Sequence, residues 1–172
     1  MLRIDLEEVR AGAVETSGRV EPSDPFWDGA DVALAVPLTV EGRLSRAGDR
    51  EYFWQARMET VLHLECRRCL APVDVPFSQT VELLFIAGAE ALDEDAGCYV
   101  IPSRTAVLDL REAAREELVL RMPHFVECSP DCRGLCPRCG ANLNAGPCGC
   151  RRERDPRWGA LSGILPDRPN ED

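Results

Sequence analysis

The sequence predicts an α+β fold: an antiparallel β-sheet, or a partly open barrel, packed by one main helix and followed by a small Cys-rich module. Apolar residues alternate with polar ones over long stretches of residues 32–85, the period of strands with one buried face. Six of the nine cysteines then fall within residues 128–150. We therefore expect an α+β domain over residues 1–126 and a Cys-rich module over residues 127–172.

Three stretches with a period of two predict the strands of the sheet. They cover residues 32–40, which lead to a turn at 46–50, then residues 52–64 and residues 73–85. Together they predict an antiparallel meander, with a bulge near Ser78.

A fourth strand and an acidic loop are predicted after the meander. Residues 98–101 are apolar enough for a short strand, with Cys98 as a small buried residue at its start. The acidic segment over residues 88–97 predicts a solvated loop before that strand.

Helical spacing is clearest over residues 109–122. Asp109 and Glu112 fit a capping box, apolar residues then recur every three or four positions, and Pro123 ends the pattern. This helix is expected to cover the apolar face of the sheet. Shorter helices are predicted over residues 4–11 and around residues 156–165.

The charge of the chain is strongly negative overall but locally positive near its end. The net charge is −10, and all 20 basic residues are arginines. A general electrostatic attraction to nucleic acid or to an anionic membrane is therefore not expected. Residues 128–158, however, carry a local excess of +3. Any contact with phosphate is expected from that segment.

The start of the chain resembles no targeting signal, and no apolar stretch approaches the ~18 residues of a membrane span. We expect a cytoplasmic protein without a membrane partner. In a reducing compartment, clustered thiols are more often metal ligands or redox groups than disulfides.

The cysteine cluster has the spacing of a zinc site. Cys136 and Cys139 form a CPxCG knuckle, in which two residues between the cysteines let both sulfurs face one ion. Gly140 suits the turn that follows, because glycine readily adopts a positive φ. The sequence thus predicts a zinc-knuckle module, with Zn²⁺ as the cofactor.

The remaining ligands of this site are open. Cys148 and Cys150 follow the knuckle after a short loop, while Cys128 and Cys132 lie equally near on its other side. Six thiols exceed one mononuclear zinc site. Either two of them are spectators, or a second zinc site forms with the earlier pair Cys66 and Cys69.

Cys66 and Cys69 have two other interpretations. They lie where two long strands meet, so they are also compatible with an ordinary hairpin turn. A thioredoxin-type redox pair is disfavoured, because such a pair lies between a strand and a helix. His124 is near enough in sequence to reach a metal, although a residue there more often packs at a helix end. No combination of residues typical of an enzyme is present, so no catalytic residue and no small-molecule substrate are predicted.

The order of these motifs resembles one known family. LECRRCLAPVDVPF at 64–77, CSPDCRGLCPRCGANLN at 128–144 and the closing CGC with RDPRWGALSGIL are similar to the YceD family, the large ribosomal RNA subunit accumulation proteins. The resemblance implies a non-enzymatic factor for the synthesis, processing or accumulation of 23S rRNA. Its implied partners are precursor 23S rRNA, a large-subunit ribosomal protein, or both.

Five arginines of the cysteine module are the candidate RNA contacts, since guanidinium groups bind phosphate in a bidentate manner. They are Arg133, Arg138, Arg151, Arg152 and Arg154. The competing hypothesis from another class is a redox-regulated zinc chaperone, whose thiols would release zinc on oxidation. A zinc-ribbon module that binds DNA is disfavoured by the net charge.

Overall fold

The computed structural model describes residues 2–88, 98–150 and 157. Its elements are, in chain order, β1 (Arg3–Asp5), α1 (Leu6–Ala11), β2 (Val14–Val20), a 3₁₀ turn (Pro25–Trp27), β3 (Leu38–Arg46), β4 (Glu51–Glu65), β5 (Pro72–Ala87), β6 (Cys98–Ile101), β7 (Val107–Asp109) and α2 (Leu110–Arg121). Within the described ranges, no helix has the length and apolar character needed to span a membrane.

Five strands form one open sheet in the order β2-β3-β4-β5-β6, and β1 pairs with β7 in a separate two-stranded ribbon. The first four strands of the large sheet are antiparallel, whereas β6 runs parallel to β5. The sheet does not close into a barrel. The predicted α+β class, with a mostly antiparallel sheet and one main helix, is therefore confirmed.

The core lies on one face of the sheet, as the alternation of β4 predicts. Trp54, Met58 and Leu62 are fully buried on that face, and their neighbours in sequence are exposed or half-buried. The indole Nε1 of Trp54 donates a hydrogen bond to the Thr16 hydroxyl at 3.0 Å, so the buried indole N–H has a partner. Helix α2 covers the same core with Leu118 and other apolar residues.

Both helices begin at an aspartate that caps them, and the cap at Asp109 confirms the prediction. The Asp5 carboxylate accepts the Glu7 amide at 2.8 Å at the start of α1, and the Asp109 carboxylate accepts the Arg111 amide at 3.1 Å at the start of α2. Such bonds satisfy amides that have no partner inside the helix. The predicted bounds of α2 agree with the structure to within about one residue.

Three details of the strand prediction are wrong. The first long strand begins at Leu38, not at residue 32, because Pro37 lacks an amide hydrogen for the ladder. The pairing of β4 with β5 is unbroken through Ser78, which faces Glu59, so there is no bulge. Cys98 is only partly buried at the start of β6.

Strand β2 was not predicted at all. Its segment VETSGRV has few large apolar residues, and Gly18 lies in its middle. A Cβ atom on Gly18 would lie 2.4 Å from the Leu2 side chain, so the glycine makes room for Leu2 to pack. The acidic segment from residue 89 to 97 and the helix predicted around residues 156–165 fall outside the described residues, apart from Arg157.

Candidate metal centres

The tip of the long β4–β5 hairpin presents two cysteines on the same side. Cys66 follows β4 and Cys69 precedes β5 by three residues. The turn is closed by two backbone hydrogen bonds, from the Leu70 amide to the Cys66 carbonyl at 2.9 Å and from the Cys66 amide to the Ala71 carbonyl at 2.8 Å. Leu70 has a φ of +59°, the left-handed conformation that lets the chain turn into β5.

The segment after α2 docks on this tip through its backbone. The Arg67 amide donates to the Val126 carbonyl at 2.8 Å, and the Leu135 amide donates to the Arg68 carbonyl at 2.9 Å. Gly134 has a φ of +73°, and a Cβ atom there would lie 2.9 Å from the Arg68 carbonyl oxygen. Glycine therefore permits the close approach of the two segments.

This docking brings four cysteines together, which we call the hairpin set: Cys66, Cys69, Cys128 and Cys132. Their sulfurs all lie within 4.8 Å of one another. The Sγ atoms of Cys66 and Cys132 are 3.8 Å apart, and those of Cys69 and Cys128 are 3.6 Å apart.

These distances fit one metal ion and do not fit disulfides. A disulfide needs sulfurs about 2.0 Å apart. Four sulfurs in a tetrahedron around zinc, each at the ~2.3 Å Zn–S distance, stand about 3.8 Å from one another. The two sulfur–sulfur distances of the hairpin set are close to that tetrahedral edge.

A second group, which we call the knuckle set, lies just after the first along the chain: Cys136, Cys139, Cys148 and Cys150. Its sulfurs also lie within 4.8 Å of one another. The Gly140 amide donates to the Cys136 carbonyl at 2.9 Å, and Gly140 has a φ of +71°, as the knuckle motif predicts. The Cys136 amide donates to the Ala141 carbonyl at 2.8 Å and closes the turn.

The two sets differ in burial. In the hairpin set, Cys66, Cys69 and Cys132 are buried in a small cluster with Ala71 and other apolar residues, and the fourth cysteine is exposed. In the knuckle set only Cys136 is buried; Cys139 and Cys150 are exposed and Cys148 is intermediate. The hairpin set is therefore more shielded from solvent than the knuckle set.

Within each set, the surroundings lower the pKa of some thiols and raise the pKa of others. Backbone hydrogen bonds, foremost at Cys128, lower the pKa of Cys66 to about 6, and those at Cys139 and Arg138 lower the pKa of Cys136 to about 6. The pKa of Cys128 is raised to about 12, first by its hydrogen bond with Cys132, and the pKa of Cys150 is raised to about 12, first by that with Cys139.

Thiols that lie this close together need a cation between them before all of them can lose their protons. Without a positive charge between them, four sulfurs cannot all ionise at neutral pH, whereas a divalent ion stabilises all four thiolates. Asn144 also supports the hairpin set, because its side-chain amide donates to the Cys132 sulfur at 3.4 Å and contributes to lowering the pKa of that thiol. The donor atoms, spacing and electrostatics are thus those of two groups that could each hold a metal ion.

The structure groups the predicted ligands in one of the ways that the sequence left open. The knuckle pair is joined by Cys148 and Cys150, and the preceding pair, Cys128 and Cys132, is joined by the distant hairpin pair. His124 is exposed and belongs to neither set among the described residues.

The predicted RNA contacts are only partly described. Arg133 and Arg138 are exposed on the module, and Arg138 has an interaction partner. Arg151, Arg152 and Arg154 lie outside the described residues.

One exposed aromatic side chain beside the hairpin set was not predicted from the sequence. Phe125 is 76% exposed, and the Arg67 guanidinium lies over its ring at 5.6 Å from the centroid. Arg67 also donates to the Glu127 carboxylate at 2.9 Å. A lone phenylalanine after Pro123 carries no sequence signal of exposure.

The chain was compared with known proteins and protein families. The family model for "Large ribosomal RNA subunit accumulation protein YceD" matches residues 54–165, which include both cysteine sets. The chain belongs to the YceD family. The family resemblance expected from the sequence is thereby confirmed.

Individual relatives match less of the chain than the family model does. An uncharacterized protein of Mycobacterium tuberculosis is 37% identical over 106 residues, which is 59% of this chain and 49% of the relative. An uncharacterized protein of Mycobacterium leprae is 32% identical over 110 residues, 61% of this chain and 49% of the relative. The chain thus matches about half the length of these relatives.

A plant relative carries the family name. The "Large ribosomal RNA subunit accumulation protein YCED homolog 1, chloroplastic" of Arabidopsis thaliana is 33% identical over 64 residues, which is 37% of this chain and 20% of that protein. No solved structure matches the chain significantly.

Proposed function

We propose that this YceD-family chain is a non-catalytic ribosome biogenesis factor that supports the accumulation of 23S rRNA and binds one zinc ion in each cysteine set. The observation that carries the proposal is the family match over residues 54–165, which spans the hairpin tip and both sets. The fit of the sulfur–sulfur distances to a zinc tetrahedron supports the metal.

The two zinc ions have different structural tasks in this proposal. Zinc in the hairpin set clamps the segment after α2 onto the tip of β4 and β5, because its ligands come from both. Zinc in the knuckle set folds residues 136–150 locally, since all four of its ligands lie there. Coordination free energy of this kind becomes folding free energy in small metal modules.

The clamped surface offers RNA a mixture of arginine and aromatic groups. Arg68 and Arg133 are exposed, and neither forms an ion pair within the described part of the chain. Phe125 exposes most of its ring beside Arg67. Unpaired bases stack on aromatic rings and arginine binds phosphate, so this surface suits a single-stranded region of precursor rRNA. The acidic remainder of the chain limits non-specific binding.

A redox-regulated zinc chaperone is the second candidate. The exposure of Cys139 and Cys150 favours it, because accessible zinc thiolates are open to oxidation. It requires that peroxide releases zinc and switches on binding of unfolded proteins. The ribosome-assembly proposal requires neither.

RNA binding tests the proposal in vitro. The zinc-loaded chain is titrated with a precursor 23S rRNA transcript at several salt concentrations. The variant carries glutamine at the five predicted contacts: Arg133, Arg138, Arg151, Arg152 and Arg154. If all five contact single-stranded phosphates, the salt slope should fall by about 3.5. The control carries glutamine at Arg19, Arg43 and Arg57, which are exposed on the sheet, and should bind as the unaltered chain does.

The ratio of 23S to 16S rRNA tests the function in cells. A strain without the chain is expected to show a lowered ratio, which the unaltered chain restores and the five-glutamine variant does not. Unchanged RNA binding by the variant would contradict the RNA contact. An unchanged rRNA ratio in the deletion strain would contradict the function itself.

A further inference from the structure

A cavity of about 490 Å³ lies between α2 and the loop after the 3₁₀ turn, and no cysteine of either set lines it. We call it the α2 cavity. Its apolar side is formed by Val119 and Leu120 of the helix and by Gly29 and Ala30 of the loop. No step of the proposed zinc and RNA chemistry uses it.

The rim of the α2 cavity is acidic. Asp31, Glu112 and Glu116 all line it, and none of the three forms an ion pair within the described ranges of the chain. The cationic residue among the lining groups, Arg115, is engaged elsewhere: it donates to the Asp28 carbonyl at 3.1 Å and lies over the Phe26 ring at 5.5 Å from the centroid. The opening therefore presents three carboxylates and one guanidinium, and its net charge is negative.

Leu120 gives the cavity an apolar contact that the folded chain does not use. Its side chain is 64% exposed, although the opposite face of α2 is buried in the core through Leu110, Leu118 and their neighbours. A large exposed apolar residue framed by polar groups is typical of a surface that binds a partner.

We propose that the α2 cavity binds a lysine- or arginine-rich segment of a partner protein, which places an apolar side chain against Val119 and Leu120. Charge complementarity selects this occupant. Three carboxylates attract a cationic segment and repel RNA, and a second copy of this chain, with a net charge of −10, is a poor match. The inference rests on the proposed function in one respect: such a partner is expected in the large-subunit precursor, where basic proteins are abundant.

Site-specific photocrosslinking tests the proposal in cells. The photoreactive residue p-benzoylphenylalanine replaces Leu120 in one variant and Val36, which is 41% exposed away from the cavity, in a matched control. Crosslinked species are identified by mass spectrometry. We expect a protein crosslink at position 120, absent at position 36, whose crosslinked peptide is rich in lysine or arginine.

Charge reversal shows whether the acidic rim selects the partner. Glu112→Arg with Glu116→Arg should lower the crosslink yield at position 120 by about tenfold or more. The matched control, Glu15→Arg with Glu41→Arg on the exposed sheet face, should leave it unchanged. Far-UV circular dichroism and zinc content confirm that each variant is folded.

Three results would overturn the inference. The first is a crosslink yield at position 120 that is no higher than the yield at position 36. The second is a crosslink from position 120 to RNA, to a second copy of this chain or to a peptide without basic residues. The third is a crosslink yield at position 120 that the charge reversal of Glu112 and Glu116 does not lower. The proposed function fails by a different result, an unchanged ratio of 23S to 16S rRNA in the deletion strain. The two failures are therefore distinguishable.

Discussion

Removing the hairpin ligands is expected to destabilise the whole fold. The hairpin set joins Cys69 to Cys128 across 59 residues. A covalent cross-link over a loop of that length stabilises a protein by about 4 kcal/mol through the entropy of the unfolded chain, and a metal that holds both ends closes the same loop. Replacing Cys66 and Cys69 by serine should therefore lower the free energy of unfolding by about 4 kcal/mol.

Urea denaturation of the zinc-loaded full chain, followed by tryptophan fluorescence, measures this change. Trp54 is fully buried in the sheet core and reports its unfolding. Cys98→Ser is the matched control, because Cys98 belongs to neither set, and its effect should stay within about 0.5 kcal/mol.

A second double variant separates the two sets. Replacing Cys136 and Cys139 by serine opens only the local loop of residues 136–150, so the unfolding of the sheet should be unchanged. The reasoning is refuted if the Cys66 and Cys69 variant unfolds within about 1 kcal/mol of the Cys98→Ser control, because a clamp across so long a loop must contribute more.

Three further substitutions follow from the described contacts. Asn144→Leu removes a hydrogen bond to the Cys132 sulfur and should lower the zinc affinity of the hairpin set by about 10–100-fold in a chelator competition; an unchanged affinity would show that the bond has no role. Leu62→Ala truncates a fully buried side chain and should cost about 2–5 kcal/mol in urea denaturation, whereas a cost below about 1 kcal/mol would contradict its place in the core. Leu70→Gly relieves a positive φ and should raise stability by up to about 1 kcal/mol, while Leu70→Ala should not.

Much of the sheet and the main helix could be predicted because their signals are local. The alternation within β4 and β5 and the cap of α2 at Asp109 are each contained in about a dozen residues. Strand β2 was not predicted because it has few large apolar residues. The glycine at position 18 is explained only by the Leu2 side chain that packs against it. A contact with a residue that is distant in sequence cannot be recognised from the sequence of the strand alone.

The ligand grouping could not be predicted because it depends on distance in space. Two candidate pairs flank the knuckle at similar separations along the chain, so spacing does not decide between them. The decision comes from the hairpin, whose strands of 15 and 16 residues carry Cys66 and Cys69 to the segment after α2.

Metal content with thiol titration tests the central proposal, two zinc sites with four cysteines each, most directly. The full chain is purified without added metal, analysed by mass spectrometry for zinc, and titrated for free thiols before and after chelation. The proposal predicts two zinc ions per chain, with Cys98 reactive at first and the eight other cysteines reactive only after chelation. No bound metal and nine freely reactive thiols would contradict it.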